Sequence, residues 1–215
     1  MRNAYTVQLT ELTDDLCDLA EAARDAMRDA SAALLAADLQ AAEGVIARGE
    51  MLGELGARCE DQAVTVLALQ APVAADLRRV FSTMRISSDL ARMAGLAVHI
   101  GEAARRRYPD PIVPVHLEPH FREMSEVCLE MADRIVDALR HGDLRTIEGL
   151  EIRNDRVDAL KTTVVDTVSA GDDGQDVMNA VDIALLGRYF ERYADQIMDV
   201  ASRIVFYVSG KKQLI

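Results

Sequence analysis

The chain is poor in aromatic residues, cysteine and proline. Aromatic residues make up 4% of its 215 residues, and tryptophan is absent. Cys17, Cys59 and Cys128 are odd in number, widely spaced and outside any C-x-x-C motif, a pattern of neither a disulfide framework nor a zinc site. We expect these cysteines to be small buried thiols in a reducing cytoplasm.

The sequence also lacks the signals that mark several functional classes. The N-terminal segment MRNAYTVQLTEL has no apolar core, so we expect no signal peptide. No uncharged apolar run reaches ~18 residues, so we expect no membrane insertion. A net charge of −12 and a pI of about 4.8 argue against binding to nucleic acid or anionic lipid. Glycine-rich phosphate loops, G-x-S-x-G motifs and Cys–His constellations are absent, so we expect no enzyme activity.

What the chain does contain is a helix-forming mixture rich in Ala, Leu, Arg, Glu and Asp. Apolar residues recur every three or four positions, and no period-two pattern competes with them. A second helix is predicted over about residues 38–70, bounded by Pro72, and a third extends to the basic residues 105–107. Gly142 and Asp143 suit a helix end followed by the N-cap of the next helix.

The prolines divide the chain near its middle. Four of the five lie in residues 108–119, a density that no helix tolerates. The two sides align with each other, at an offset of 105 around their second helices and of 100 in their third helices. We therefore predict an all-α fold, in which two tandem three-helix repeats form an elongated six-helix bundle. Its parts would be a first repeat (1–107), a proline-rich linker (108–119) and a second repeat (120–215), with SAGDDG (169–174) separating the fifth and sixth helices.

An acidic ladder stands out in RYFERYADQIMDVASR, residues 188–203. Glu191, Asp195 and Asp199 recur every fourth residue, so on a helix they share one face, which lies opposite the apolar stripe of that helix. Two interpretations stay open at this point. The ladder is a solvated polar face paired with neighbouring arginines, or it binds a cation that offsets a repulsion of ~0.2–0.5 kcal/mol for each like-charge i,i+4 pair.

A bound cation would need further ligands from a neighbouring helix. Asp155 and Asp158 on the preceding helix are the candidates, provided that the two helices pack antiparallel. Carboxylate oxygens suit iron, manganese or magnesium. The inward-facing E-x-x-H motifs of a ferritin-like di-metal core are absent, and His116 and His120 are assigned to the proline-rich linker.

Two segments resemble a known family. DLRRVFSTMRISSDLARMAGLAVHI (76–100) and DIALLGRYFERYADQIMDVASRIVFYVSG (182–210) are similar to the two motif segments of the PhoU family, D/E-L-E-R-x-x-D-H-x-x-N-I-A. The resemblance implies a symmetric six-helix bundle and a cytoplasmic, non-enzymatic regulator. It implies contact with the nucleotide-binding subunit of a phosphate ABC transporter and with a PhoR-type sensor histidine kinase, which keeps phosphate-starvation genes off when phosphate is plentiful. Some members form homodimers.

The resemblance also implies metal clusters on acidic surfaces, one in each repeat, but here the match is uneven. The second repeat fills the acidic motif, whereas the first repeat has lost it at Ala91, Gly95, His99 and, on its second helix, Gly53. We expect the second repeat alone to keep a metal-competent face of Glu191, Asp195, Asp199, Asp158 and Asp155. Asp89 and Glu50 would be remnants of the lost site.

Three arginines fit the family motif and are the residues that we expect to contact partners: Arg78, Arg92 and Arg192. Each could instead form a surface salt bridge of little energetic value. For the function as a whole, two alternatives stay open. One is an accessory regulator of another phosphate or anion permease, and the other is a metal-free helical scaffold.

Overall fold

The computed structural model describes residues 2–170 and 177–210, with side chains from residue 5 onward. This part of the chain folds into six α-helices and a single 3₁₀ turn, and it contains no strand. The prediction of an all-α fold with two three-helix repeats is confirmed. The helices are α1 (Arg2–Ala36), α2 (Leu39–Gln70), α3 (Ala74–Arg107), α4 (Glu118–His141), α5 (Leu150–Ser169) and α6 (Val177–Ser209).

The ends of α2 follow the sequence closely. The Asp38 side chain accepts a hydrogen bond from the backbone N–H of Ala41 at 3.0 Å and so caps the helix start. At the other end, the left-handed Ala71 ends the helix directly before Pro72. These contacts account for the predicted helix over residues 38–70.

The start of α5 differs from the prediction. Gly142 is left-handed and Asp143 is a cap, as expected, but Asp143 caps only the 3₁₀ turn Leu144–Ile147. A second left-handed glycine, Gly149 with φ +76°, interrupts the hydrogen-bond ladder, and α5 begins one residue later. The predicted break at 169–174 agrees with the end of α5, but residues 171–174 lie outside the described part of the chain.

The proline-rich segment packs against the protein core. It is non-helical over residues 108–117, two residues fewer than predicted, because Pro119 fits in the first turn of α4, where no N–H donor is needed. Three of its apolar side chains are buried: Ile112, Val113 and Leu117. The segment therefore adds to the apolar cluster to which both repeats contribute.

The third helices of the two repeats pack antiparallel at the centre of the molecule. Arg106, near the end of α3, pairs with Asp182 near the start of α6 at 2.9 Å, and Arg78, near the start of α3, lies beside Tyr207 near the end of α6. Contacts of α1 with α4 complete the interface between repeats, and contacts of α4 with α5 and α6 build the second repeat. Side chains of all six helices join one apolar cluster. In the described residues, no helix is long and apolar enough to cross a membrane.

A candidate acidic site between α5 and α6

The three acids of the ladder differ in their exposure to solvent. Asp199 is exposed and Asp195 is half-buried, but the Glu191 side chain is only 14% exposed. The ladder is therefore not a solvated face along its whole length, because Glu191 is largely covered. Its face lies opposite the apolar stripe of α6, but α5 packs along this flank of the helix and covers it.

The neighbouring helix runs antiparallel to α6, as the predicted site requires. Asn154, early in α5, donates a long hydrogen bond of 3.5 Å to Asp195. About two turns later in α5, the Lys161 Nζ atom lies 3.8 Å from Glu191 Oε1. Asp158 lies between these two contacts along α5, whereas Asp155 is exposed.

The electrostatic environment of Asp158 shows that these acids act on one another. Burial raises the pKa of the Asp158 carboxyl, and the carboxylates of Glu191 and Asp195 raise this pKa further. The Lys161 ammonium lowers it, so its positive charge reaches the same group of acids. Three of the five predicted ligands, Asp158, Glu191 and Asp195, therefore lie within electrostatic reach of one another on two helices, and the exposed Asp155 adds a smaller effect on the same pKa.

Two cations already engage the most buried of these acids. Besides Lys161, the Arg188 Nη1 atom lies 2.5 Å from Glu191 Oε2. This contact is an ion pair without hydrogen-bond alignment, since Glu191 Oε2 is buried and has no aligned donor. The carboxylate is thus neutralised from both sides by side chains of the protein itself.

The donor set does not form a ready metal centre. Within the described residues, no three His, Cys, Asp or Glu side chains converge closely enough to hold a metal ion. Carboxylates of this kind suit iron, manganese or magnesium, but Glu191 would first have to leave Lys161 and Arg188. Metal binding at this face stays a prediction.

Comparison with known proteins identifies the family. A family model described as the PhoU domain matches residues 16–104 and 121–204, which lie in the first and second repeats. The chain belongs to the PhoU family. The phosphate-specific transport system accessory protein PhoU homolog 2 of Mycobacterium tuberculosis is 37% identical over 210 residues, which cover 98% of this chain and 99% of the relative. PhoU homolog 1 of the same organism is 38% identical, with 98% and 95% covered.

Solved PhoU structures share the fold along the whole chain. The crystal structure of PhoU from Pseudomonas aeruginosa superposes with a TM-score of 0.87 at 20% identity and covers 96% of this chain and 100% of that one. The phosphate transport system regulatory protein PhoU from Streptococcus pneumoniae gives a TM-score of 0.86 at 21% identity, with 97% and 99% covered. At about 20% sequence identity, the superposition shows a shared fold and carries no conclusion about function.

The first repeat of this PhoU chain fills the matching space with small residues. Ala91 stands at the position of Glu191, and it packs against Gly56 of α2: a Cβ atom added to Gly56 would lie 3.1 Å from the Ala91 Cβ. At this position the lost acid is thus replaced by a close approach of two helices, whereas a Cβ atom added to Gly53 or Gly95 would meet nothing within 4 Å. Glu50 remains exposed on α2.

Asp89 is not a remnant of an outward-facing site, contrary to our expectation. It is 1% exposed and pairs with Arg203 of α6 and, at 3.3 Å, with Arg92 of α3. The pairing with Arg203 crosses the interface between the repeats, so Asp89 joins the two halves of this PhoU protein.

The three predicted partner-binding arginines have different surroundings. Arg78 is half-buried and donates a hydrogen bond of 3.5 Å to the Tyr207 carbonyl, where its charge complements the C-terminal end of α6. Arg92, about four turns further along α3, is exposed but pairs with Asp89. Arg192 is exposed, and the described residues offer its guanidinium no ion pair. Of the three, Arg192 is the most available to a partner.

The residues that contact the acids from α5, Lys161 and Asn154, were not predicted from the sequence. Lys161 follows Asp158 by three residues, a spacing that puts both on one face of α5, so this signal was present. Asn154 gave no comparable signal, because its contact with Asp195 depends on the packing of α5 against α6.

Proposed function

We propose that this PhoU-family chain is a cytoplasmic accessory regulator of phosphate-specific transport. In this role it contacts the nucleotide-binding subunit of a phosphate ABC transporter and a PhoR-type sensor histidine kinase, and it keeps phosphate-starvation genes off when phosphate is plentiful. The observation that supports the proposal is similarity along the full chain to accessory proteins of phosphate-specific transport. The long, charged outer faces of the helices suit regulation through protein contacts.

Deletion of the gene tests the regulatory part of the proposal. In cells grown with abundant phosphate, transcripts of phosphate-starvation genes should rise on deletion and fall again when the wild-type chain is restored. Starvation genes that stay silent in the deletion strain would contradict the proposal.

A pull-down tests the partners and the predicted contact residue together. The purified chain should retain the transporter's nucleotide-binding subunit and the kinase, with retention that depends on phosphate. Arg192→Glu should weaken this retention, because Arg192 is exposed and has no ion pair among the described residues. Arg85→Glu is the matched control, since Arg85 is also exposed, on α3, but was not predicted to bind a partner. Equal retention by both variants would remove Arg192 from the interface.

The second candidate is an accessory regulator of another phosphate or anion permease. The family assignment and the fold suit both candidates equally. A gene neighbourhood with an ABC phosphate operon or a sensor kinase supports the first candidate, and a neighbouring permease of another type supports the second. The predicted homodimer does not depend on which candidate is correct. Light scattering on the purified chain would determine whether it forms.

A further inference from the structure

The two repeats fill one inter-helix position in opposite ways. Gly56 is 105 positions before Lys161, and Ala91 is 100 positions before Glu191. In the first repeat, Gly56 and Ala91 face each other with no room for a longer side chain. In the second repeat, Lys161 and Glu191 face each other as an ion pair of 3.8 Å. This position is occupied in both repeats, by two small residues in the first and by an ion pair in the second.

The Lys161 side chain packs along α6 beside Gly187. A Cβ atom added to Gly187 would lie 3.5 Å from Lys161 Cγ, an ordinary van der Waals distance. The apolar stem thus lies along α6 while the ammonium reaches Glu191, one turn further on. The lysine is 30% exposed and the glutamate 14%, so the pair is partly withdrawn from water.

Lysine is rare in this chain. The sequence has 21 arginines and three lysines, and Lys161 is the one lysine within the described residues. Arginine presents a planar fork of donors, whereas lysine presents a compact point charge on a flexible stem. A point charge next to several carboxylates resembles a bound metal ion more closely than a guanidinium does.

Two cations of the protein itself offset two of the three negative charges at the site. Three carboxylates, those of Asp158, Glu191 and Asp195, lie with two cations, Lys161 and Arg188. The two cations together carry the charge of one divalent ion. A divalent ion that entered beside them would meet their repulsion at short range, where partial burial strengthens it.

We propose that the Lys161 ammonium, together with the Arg188 guanidinium, takes the place of a divalent cation between Asp158 and Glu191. This chain then keeps its α5–α6 acidic face without a metal ion, and Lys161 determines that preference. The acids serve as internal partners of these two cations and hold α5 against α6.

Calorimetric titration of Mn²⁺ into metal-stripped protein tests this proposal, because removal of the Lys161 charge should increase the affinity for Mn²⁺. Wild type should bind Mn²⁺ weakly, and Lys161→Met, which keeps the stem but removes the charge, should bind it at least about tenfold more tightly. The gain should disappear in Lys161→Met/Glu191→Gln. Arg58→Met, which removes an exposed positive charge from α2 in the other repeat, should leave the affinity at the wild-type value.

Two outcomes would overturn the proposal. One is tight, stoichiometric Mn²⁺ binding by wild type that Glu191→Gln abolishes, and the other is an unchanged affinity in Lys161→Met. If Lys161→Met fails to fold by circular dichroism, Arg188→Leu replaces it, because Arg188 is the more exposed of the two cations. Its affinity should likewise exceed that of wild type, and an unchanged value would count against the proposal.

Discussion

At the scale of single residues, glycines set how closely α2 and α3 approach. A Cβ atom on Gly101 of α3 would lie 3.3 Å from the backbone carbonyl of Ala42 on α2 and 3.5 Å from Val45. A Cβ atom on Gly53, which is exposed on α2, would meet nothing within 4 Å. The same substitution should therefore have opposite effects at the two positions.

We predict that Gly101→Ala lowers the free energy of unfolding by about 1–3 kcal/mol, because a backbone carbonyl cannot move aside. Gly53→Ala should raise it by about 0.5–1 kcal/mol, because alanine loses less conformational freedom than glycine on entering a helix. Urea denaturation of both variants measures the two values, with the dependence of the free energy of unfolding on urea concentration fitted as one shared slope. Shifts of the same sign would refute the assignment of Gly101 to a tight contact.

Burial governs the chemistry of the cysteines. All three are free and buried, as the sequence predicted. Burial raises the pKa of Cys17 and of Cys59 to about 11, and it raises the pKa of Cys128 as well. At pH 8 the reactive thiolate is therefore a very small fraction of each residue.

We predict that the native thiols react with Ellman's reagent on the order of a hundredfold more slowly than thiols of ordinary pKa. The rate should rise steeply toward pH 11 because the thiolate fraction rises with pH. The same protein in guanidinium chloride is the control, and all three thiols should react rapidly there. A fast thiol in the native protein at pH 8 would show that one of these cysteines is accessible.

At the scale of helices, carboxylate–arginine pairs link α3 to α6 at two places. Asp89 of α3 pairs with Arg203 of α6, and Asp182 of α6 pairs with Arg106 and Arg107 of α3. Both carboxylates are nearly inaccessible to solvent. A buried charge that loses its partner is strongly destabilising, whereas loss of the whole pair costs much less.

We predict that Arg203→Met lowers the free energy of unfolding by about 3 kcal/mol, since among the described residues Asp89 then keeps the exposed Arg92 as its one ion-pair partner. The double variant Asp89→Asn/Arg203→Met should recover most of this loss, because it buries no unpaired charge. Thermal and urea unfolding of the two variants check this difference. A double variant no more stable than the single one would mean that the packing of the Arg203 stem, rather than its charge, holds the helices together.

Helix positions were predictable from the sequence, and contacts between helices were predictable only in part. The Asp38 cap, the proline-rich boundary and the offsets of 105 and 100 are local or repeated patterns, and they predicted the all-α double repeat. The approach of Asp158 to Glu191 required only an antiparallel helix pair. The burial of Glu191 could not be predicted from the sequence. The angular positions of side chains around α6 do not show which neighbouring helix covers them. The Asp89–Arg203 pair joins residues 114 positions apart, which no periodicity indicates.

At the scale of the whole molecule, the two PhoU repeats share one interior. The main apolar cluster includes side chains of all six helices, and α1 packs on α4 of the other repeat as well as on α2 and α3. The buried residues of the linker add to the same cluster. A smaller cluster of Leu12, Ala63, Val66 and Val80 lies within the first repeat alone. Separation of the repeats would nevertheless expose apolar faces of α1, α3, α4 and α6, so most of the core depends on the contact between the repeats.

We predict that both repeats unfold in a single cooperative transition. Far-UV circular dichroism reports the helices of both repeats, whereas tyrosine fluorescence reports mainly the second, which contains three of the five tyrosines: Tyr189, Tyr193 and Tyr207. The two signals should give the same urea midpoint, since one continuous core connects their sources. The fragment of residues 1–107 should lack a cooperative transition. Two separate midpoints, or a fragment that unfolds cooperatively, would show that the repeats are independent domains.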